Sequence, residues 1–442
     1  MVDSRGLDRI RTASVVVTII SVGVVAASFI STPNNVVADG GTAATTSEVV
    51  TEPVEYPVDI PGCDDVQEPP TESESMLFSS SIGGGESTYD NPAFPWMTSG
   101  RAAVMSEAVR AALPSDVDIV LAAPSQSLSF GPVEDIDVPG FDPVSNATAE
   151  LMRDGSAAFV SLGVGPSDKG APPCVAGSLD SRDTDSDGTV VDINDTWYEI
   201  AGTRTYSRSA TAYRQDGTRV SVHLSAPSSP TLPLEQDEIA AIAALPELGV
   251  STPLPSEPPV LRRDCSVYSS DEGTVRDINP EALDAANAAF TASWASLRGA
   301  PALDRPVGSL IPAGFGSGIC TDVAVLGSSI RLAVSVVGNQ PLPTAPDPYD
   351  PSFYGQLPET RTLPDGSVIQ YFDADVTNML TSEDGTGLLS RSVTVTRPSG
   401  VQVSARSSVE VGANGKAPLT LPEPLPVGIL DVVAATPIGQ WP

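Results

Sequence analysis

Three aspartates alternate with small polar residues along Asp183-Thr184-Asp185-Ser186-Asp187, and Gly188 follows the third. An EF-hand-type calcium loop takes oxygens from positions 1, 3, 5, 7, 9 and 12 and needs glycine at 6 for its sharp turn. In that register Asp183, Asp185 and Asp187 are ligands, Thr189 offers its carbonyl, and Gly188 is correctly placed. Position 12 calls for a bidentate carboxylate and holds Asn194, although Asp192 and Asp195 lie close by. The candidate metal set is therefore Asp183, Asp185, Asp187 and Asn194, with calcium as the one cofactor in view. The competing reading is a solvated acidic turn, since Asp-Gly is also a turn that feeds a strand.

Other chemistry is sparse. His223 is the single histidine, and in Arg-Val-Ser-Val-His-Leu-Ser it shares a strand face with Ser221 and Ser225. Neighbours on one strand face point in parallel rather than converge, and no Gly-x-Ser-x-Gly elbow is present. Gly314–Gly318 is glycine-rich but lacks a phosphate-binding lysine, and reads as a turn before Cys320. Carboxylate pairs of the glycosidase type are available among 56 acidic residues, and none is singled out. No catalytic residue is assigned.

The elements that would position these groups are organised by a duplication. Ser-Arg-Ser-Ala-Thr-Ala-Tyr-Arg-Gln-Asp-Gly-Thr-Arg-Val-Ser (207–221) matches Ser-Arg-Ser-Val-Thr-Val-Thr-Arg-Pro-Ser-Gly-Val-Gln-Val-Ser (390–404) at an offset of 183. Apolar and polar residues alternate around a central turn in both, which is a β-hairpin signal. More weakly, 156–165 parallels 330–339, and 186–195 parallels 364–373. Each copy opens with a helix candidate, 99–113 or 279–297. The second has Asn279 to cap it and Pro280 at its first position. Each closes on a proline-flanked segment, 233–248 or 421–437. Asp365-Gly366 repeats only the Asp-Gly part of the calcium-like loop, so a turn suffices for Asp187-Gly188, while Asp183 and Asp185 have no such structural explanation.

Residues 13–30 carry no charge, and Arg5, Arg9 and Arg11 precede them. This stretch is long enough to cross a bilayer core, and the positive flank sets the N-terminus inside. A cleaved leader ending near Val36-x-Ala38 is the alternative. Both readings export the remainder. Cys63, Cys174, Cys265 and Cys320 form no CxxC pair and fit two disulfides in an oxidising compartment. Three connectivities are open, and pairing within each copy would join Cys63 to Cys174 and Cys265 to Cys320. The net charge of −33 excludes nucleic acid as a partner, because such binding depends on Lys and Arg neutralising phosphates.

The short arginine-bearing N-terminus, the single apolar span, the Ala/Pro/Thr/Asp-rich exported part and the lysine poverty are accompanied by an Arg-x-x-Gly-x-x-Val-Ser hairpin. Together these resemble uncharacterised single-pass or secreted envelope proteins of high-GC Gram-positive, actinobacterial type. The resemblance implies a cell-envelope location and no particular reaction.

The expected fold is α+β: an N-terminal transmembrane helix followed by two duplicated two-layer domains, each a helix packed on a curled antiparallel sheet. The expected layout is a cytoplasmic tail (1–12), a transmembrane anchor (13–31) and a disordered linker (32–60). The first repeat (61–250), a Pro-rich linker (251–262) and the second repeat (263–442) follow. The expected function is a non-catalytic, sensor-like extracytoplasmic ectodomain that binds an envelope protein or polymer. The alternatives are a secreted carboxylate-based hydrolase and a calcium-stabilised structural or adhesive module.

Overall fold

A computed structural model of the chain describes residues 49–69, 88–133, 142–267, 278–314, 318–344, 358–374, 387–411 and 423–439. Two compact units divide it: residues 1–120 with 125–262, and residues 121–124 with 263–442.

The first unit has ten strands: β1 (Val49–Thr51), β2 (Val66–Gln67), β3 (Asp118–Ile119), β4 (Ser145–Arg153), β5 (Ser156–Pro166), β6 (Cys174–Val175), β7 (Ser181–Thr184), β8 (Val190–Ile200), β9 (Thr203–Tyr213) and β10 (Thr218–Pro227). Eight of them form one antiparallel sheet in the order β1-β8-β9-β10-β5-β4-β3, with β7 also on β8. β2 and β6 make a small parallel pair. Val49–Thr51 pairs with Tyr198–Ile200, so a strand lies inside the stretch read from the sequence as a linker. Two helices accompany the sheet, α1 (Ser99–Ala112) and α2 (Gln236–Ala243).

The second unit opens with α3 (Pro280–Ser296). Its strands are β11 (Ile311–Pro312), β12 (Ile319–Ala324), β13 (Ile330–Val337), β14 (Glu359–Thr362), β15 (Val368–Ala374), β16 (Gly387–Thr396) and β17 (Gln402–Val411), and it closes with α4 (Val427–Ala434). The sheet order is β11-β12-β13-β17-β16-β15-β14.

This corrects the expected fold class. The protein is mostly β, built on antiparallel sheets of eight and seven strands, with four helices among the described residues. The helix signals are real: Thr98 Oγ1 accepts from the Arg101 amide at the start of α1, and Asn279 Oδ1 accepts from the Glu281 amide at the start of α3. They cover little of the chain, however. β8 and β9 run to 11 residues each: β8 is rich in β-branched and aromatic residues, and β9 alternates Thr and Ser with other residues, both patterns that suit a pleated surface. Residues 13–31, read as a membrane-spanning helix, lie outside the described residues, as do residues 315–317 of the glycine-rich turn. Among the described residues no helix is long and apolar enough to cross a membrane.

Alternation decides which sheet face is dry. On β10, Val220, Val222 and Leu224 are buried in the core, while Ser221 and His223 face the other way. Met105 and Val109 of α1 and Ile239 and Ile242 of α2 complete that core. In the second unit Phe290 of α3 and Leu430 and Val433 of α4 pack on Val334, Val393 and Val403 in the same way.

The register shows how closely the units correspond. Val222 pairs with Leu162 and Ala210; Ala405, at the offset of 183, pairs with Val334 and Val393. The β5 and β13 segments are thus related by 172 residues, two fewer than their sequence similarity indicates. A slip of two preserves which face each residue occupies.

The repeated Arg-Ser-x-Thr-x-x-Arg run explains how each closing helix is held. Ala210 and Ala212 are small and buried, so α2 approaches closely over the middle of β9. Arg208 donates to the Leu234 carbonyl just before α2, and Arg214 donates to the Ala243 and Leu245 carbonyls at its end. In the second unit Arg391 donates to the Leu425 carbonyl, and Arg397 to those of Ala435 and Thr436. Carbonyls at a helix C-terminus have no intrahelical partner, and a cation there also complements the helix dipole.

Candidate functional site

The calcium-like stretch folds as a β-hairpin. Asp183 pairs with Val191 and Thr184 with Val190. The Asp185 amide donates to Thr189 O and the Gly188 amide to Asp185 O, both at 2.9 Å. Gly188 has φ +83°, a left-handed conformation that favours glycine. Asp187 Oδ1 accepts from the Thr189 amide at 2.9 Å, and that bond holds its carboxyl below the usual range. The second unit repeats this turn. Asp365 Oδ1 accepts from the Ser367 amide, with the same effect on its carboxyl, and Gly366 has φ +85°.

Asp183 shares a sheet face with its cross-strand partner Val191. Asn194 lies three residues further along β8, on the opposite face, paired with Ser209. The structure therefore does not bring Asn194 to Asp183. Among the described residues, no three His, Cys, Asp or Glu side chains come close enough together to hold a metal ion.

Asp183 and Asp185 instead border a groove of about 760 Å³ between the β7–β8 hairpin and α2. Across it stand Glu235 and Asp237, at the start of α2, and all four carboxylates are exposed. Its floor is apolar: Val191 and Ile193 from β8, Ala240 and Ala241 from α2, and Ala244 just past its end. Arg208 also lines it but is already engaged. Its Nε and Nη2 donate to Asp195 at 2.8 Å, and its Nη1 reaches Glu235 at 3.2 Å. The start of α2 is fixed independently. Glu238 accepts the Glu235 amide and both terminal nitrogens of Arg153, whose guanidinium holds the Glu238 carboxyl low.

The duplicated unit shows what the scaffold itself requires at this place. There Arg361 stands where Asp183 does, and Tyr371 replaces Ile193. Along the closing helix Asp431 replaces Ala240, Pro426 replaces Glu235 and Gly428 replaces Asp237. The larger Tyr371 ring takes the position over the sheet, and Arg361 Nη2 donates to its hydroxyl at 3.4 Å. Burial and the adjacent Asp431 carboxylate push the Tyr371 hydroxyl pKa up. The clasping arginines and the Asp-Gly turn are common to both units; the four acidic residues and the small Ala240 of the floor belong to the first alone.

His223 lies on the face of the sheet opposite the core, between Ser161 and Ser209 on the flanking strands. Its Nδ1 is buried and has no hydrogen-bond partner among the described residues. Burial lowers its pKa to about 4. Ser221 Oγ points to the Gly163 carbonyl at 3.5 Å, so no serine–imidazole pair forms. The equivalent Arg406 donates to Ser390 Oγ. Trp197 is covered by the Arg204 guanidinium, 3.7 Å from the ring centroid.

The disulfides join Cys63 to Cys174 and Cys265 to Cys320, each within one unit. They fit an extracytoplasmic or secreted protein. Sequence reading missed Glu235, Asp237 and Arg208 as members of one site. The available signals were the repeated arginine spacing and the acidic run Glu235-Gln236-Asp237-Glu238 opening a helix. Comparison with known proteins finds no matching family, no matching curated protein and no matching solved structure.

Proposed function

We propose that the protein is a non-catalytic extracytoplasmic binding protein whose first unit carries the ligand site and whose second unit is a closed copy of the same scaffold. One observation carries this reading. The first unit keeps an open, acid-rimmed groove at the place where the second carries the larger Tyr371 beside Asp431. A scaffold that folds with the space filled does not need the groove for stability, and a concave apolar surface with a few directed polar groups suits ligand binding. The partner is an envelope protein or polymer.

The carboxylate hydrolase and the calcium-stabilised module rank lower. The rim carboxylates are all exposed, and Asn194 is on the other sheet face. How the chain is retained after export, by an uncleaved span or after cleavage of a leader, is answered by fractionating cells that express the full chain.

The test transplants the second unit's filling. Full-length chain and its Ile193→Tyr/Ala240→Asp variant are immobilised and exposed to extracytoplasmic proteins and envelope polymers. Material retained by the native chain and lost from the filled variant supports the groove as the binding site. Equal retention by both moves the binding function elsewhere.

A further inference from the structure

Resting on that reading, we infer that the occupant of the groove is an extended polypeptide segment that projects arginine or lysine side chains onto the alanine floor of α2. Three features point the same way. Asp183 and Asp185 on one bank and Glu235 and Asp237 on the other make both rims anionic. The floor between them, Ile193, Ala240 and Ala241, is apolar. A basic side chain satisfies both surfaces at once: its alkyl stem lies on apolar carbon while its cationic head reaches the rim. The groove also holds far more than one ion or one side chain, which favours several residues of a chain.

The duplicated unit adds an independent argument about shape. Replacing Tyr371 and Asp431 by Ile193 and Ala240 removes a ring from the strand side and a carboxylate from the helix side. In the second unit the Tyr371 side chain takes that position. In that unit the cation is internal: Arg361, at the place of Asp183, donates to Tyr371. In the first unit the internal cation, Arg208, reaches only Glu235 on the rim, and Asp195 and the Leu234 carbonyl hold it there, which leaves Asp183, Asp185 and Asp237 for an occupant.

A chain of net charge −33 attracts any polycation, so the test must separate shape from bulk charge. A short capped peptide alternating alanine with arginine is titrated against the full-length protein at physiological salt. Spermidine and the glutamate version of the peptide are run beside it. The native protein binds the arginine peptide. The Ile193→Tyr/Ala240→Asp variant binds it about tenfold more weakly although it carries one more negative charge. Asp183→Asn/Asp237→Asn weakens binding and flattens its salt dependence. Equal binding by native and filled proteins overturns the proposal as non-specific attraction. Tighter binding of spermidine than of the peptide overturns the polypeptide class. Absence of peptide binding, with the groove still needed to retain envelope material, overturns this inference and leaves the broader function standing. Should the double variant not fold, Ala240→Leu alone repeats the comparison.

Discussion

Arg208 grips both carboxylate oxygens of Asp195 through Nε and Nη2, and in the second unit Arg391 grips Asp373 through the same two nitrogens. Each arginine then spends its remaining terminal nitrogen on the carbonyl that precedes a closing helix. The pair is thus a fastener between the edge of the central hairpin and the helix that forms one bank of the groove. It is better shielded in the first unit, where Arg208 and Asp195 are 15% and 34% exposed, against 20% and 59% for Arg391 and Asp373.

That difference sets the first prediction. In a double-mutant cycle of Arg208→Met and Asp195→Asn, measured by urea unfolding, the coupling is expected to be about 1–3 kcal/mol, as for partly buried charge-assisted bonds. The matching cycle of Arg391→Met and Asp373→Asn is expected to give a smaller value, under about 1 kcal/mol, as exposed pairs do. Equal couplings would show that shielding is not what distinguishes the two fasteners.

Much of this was legible in the chain itself. The hairpins at 207–221 and 390–404, the turn at Asp365-Gly366 and the caps at Asn279 and Pro280 follow from local rules, because a turn or a cap is decided by its own few residues. The fold class was not legible. A helix candidate announces itself by periodicity and caps, while the edge strands give weak signals: β1 is three residues long and pairs with distant residues of β8, and β7 and β14 are short and polar, so the share of strand was underestimated. The groove was half legible. Asp183 and Asp185 stood out as unexplained by the duplication, but their opposite bank lies some fifty residues away. Only the pairing of β8 with β9 and the seating of α2 bring the two together.

His223 gives a pH signature. Its folded pKa, about 4, lies below the ordinary 6.5. Between those values the unfolded chain binds a proton that the folded chain refuses, so stability is lost as the pH falls from about 6.5 towards 4. A downward shift of this size corresponds to about 3 kcal/mol at most. His223→Val removes the buried, unpartnered Nδ1 and keeps a residue suited to a strand. The variant is expected to be more stable than the native protein at pH 5 and to lose the slope across that interval. The check is urea midpoints at pH 7, 6, 5 and 4.5. A native slope that persists in the variant would assign the acid lability to the carboxylates held low by hydrogen bonds, such as Glu238 and Asp187, whose contributions vanish only as pH falls through their own lower values.

The hairpin at 181–193 leads to the last expectation. Its turn is closed by its own backbone: Asp185 and Gly188 amides have partners, and Asp187 caps Thr189. Nothing in that arrangement waits for a cation, and the neutral oxygen of Asn194 lies on the other face of the sheet. Millimolar calcium and excess chelator should therefore give the same melting temperature for the full-length chain, and Asp185→Asn should leave it within about a degree. Asp187→Ala, by contrast, removes the bond to Thr189 and should cost about 0.5–2 kcal/mol, the usual loss for a side-chain cap on a backbone amide. A calcium-dependent rise of several degrees, abolished by Asp185→Asn, would mean that the hairpin rearranges around metal, and the groove would then have to be redrawn with Asp183 and Asp185 as ligands rather than as its rim.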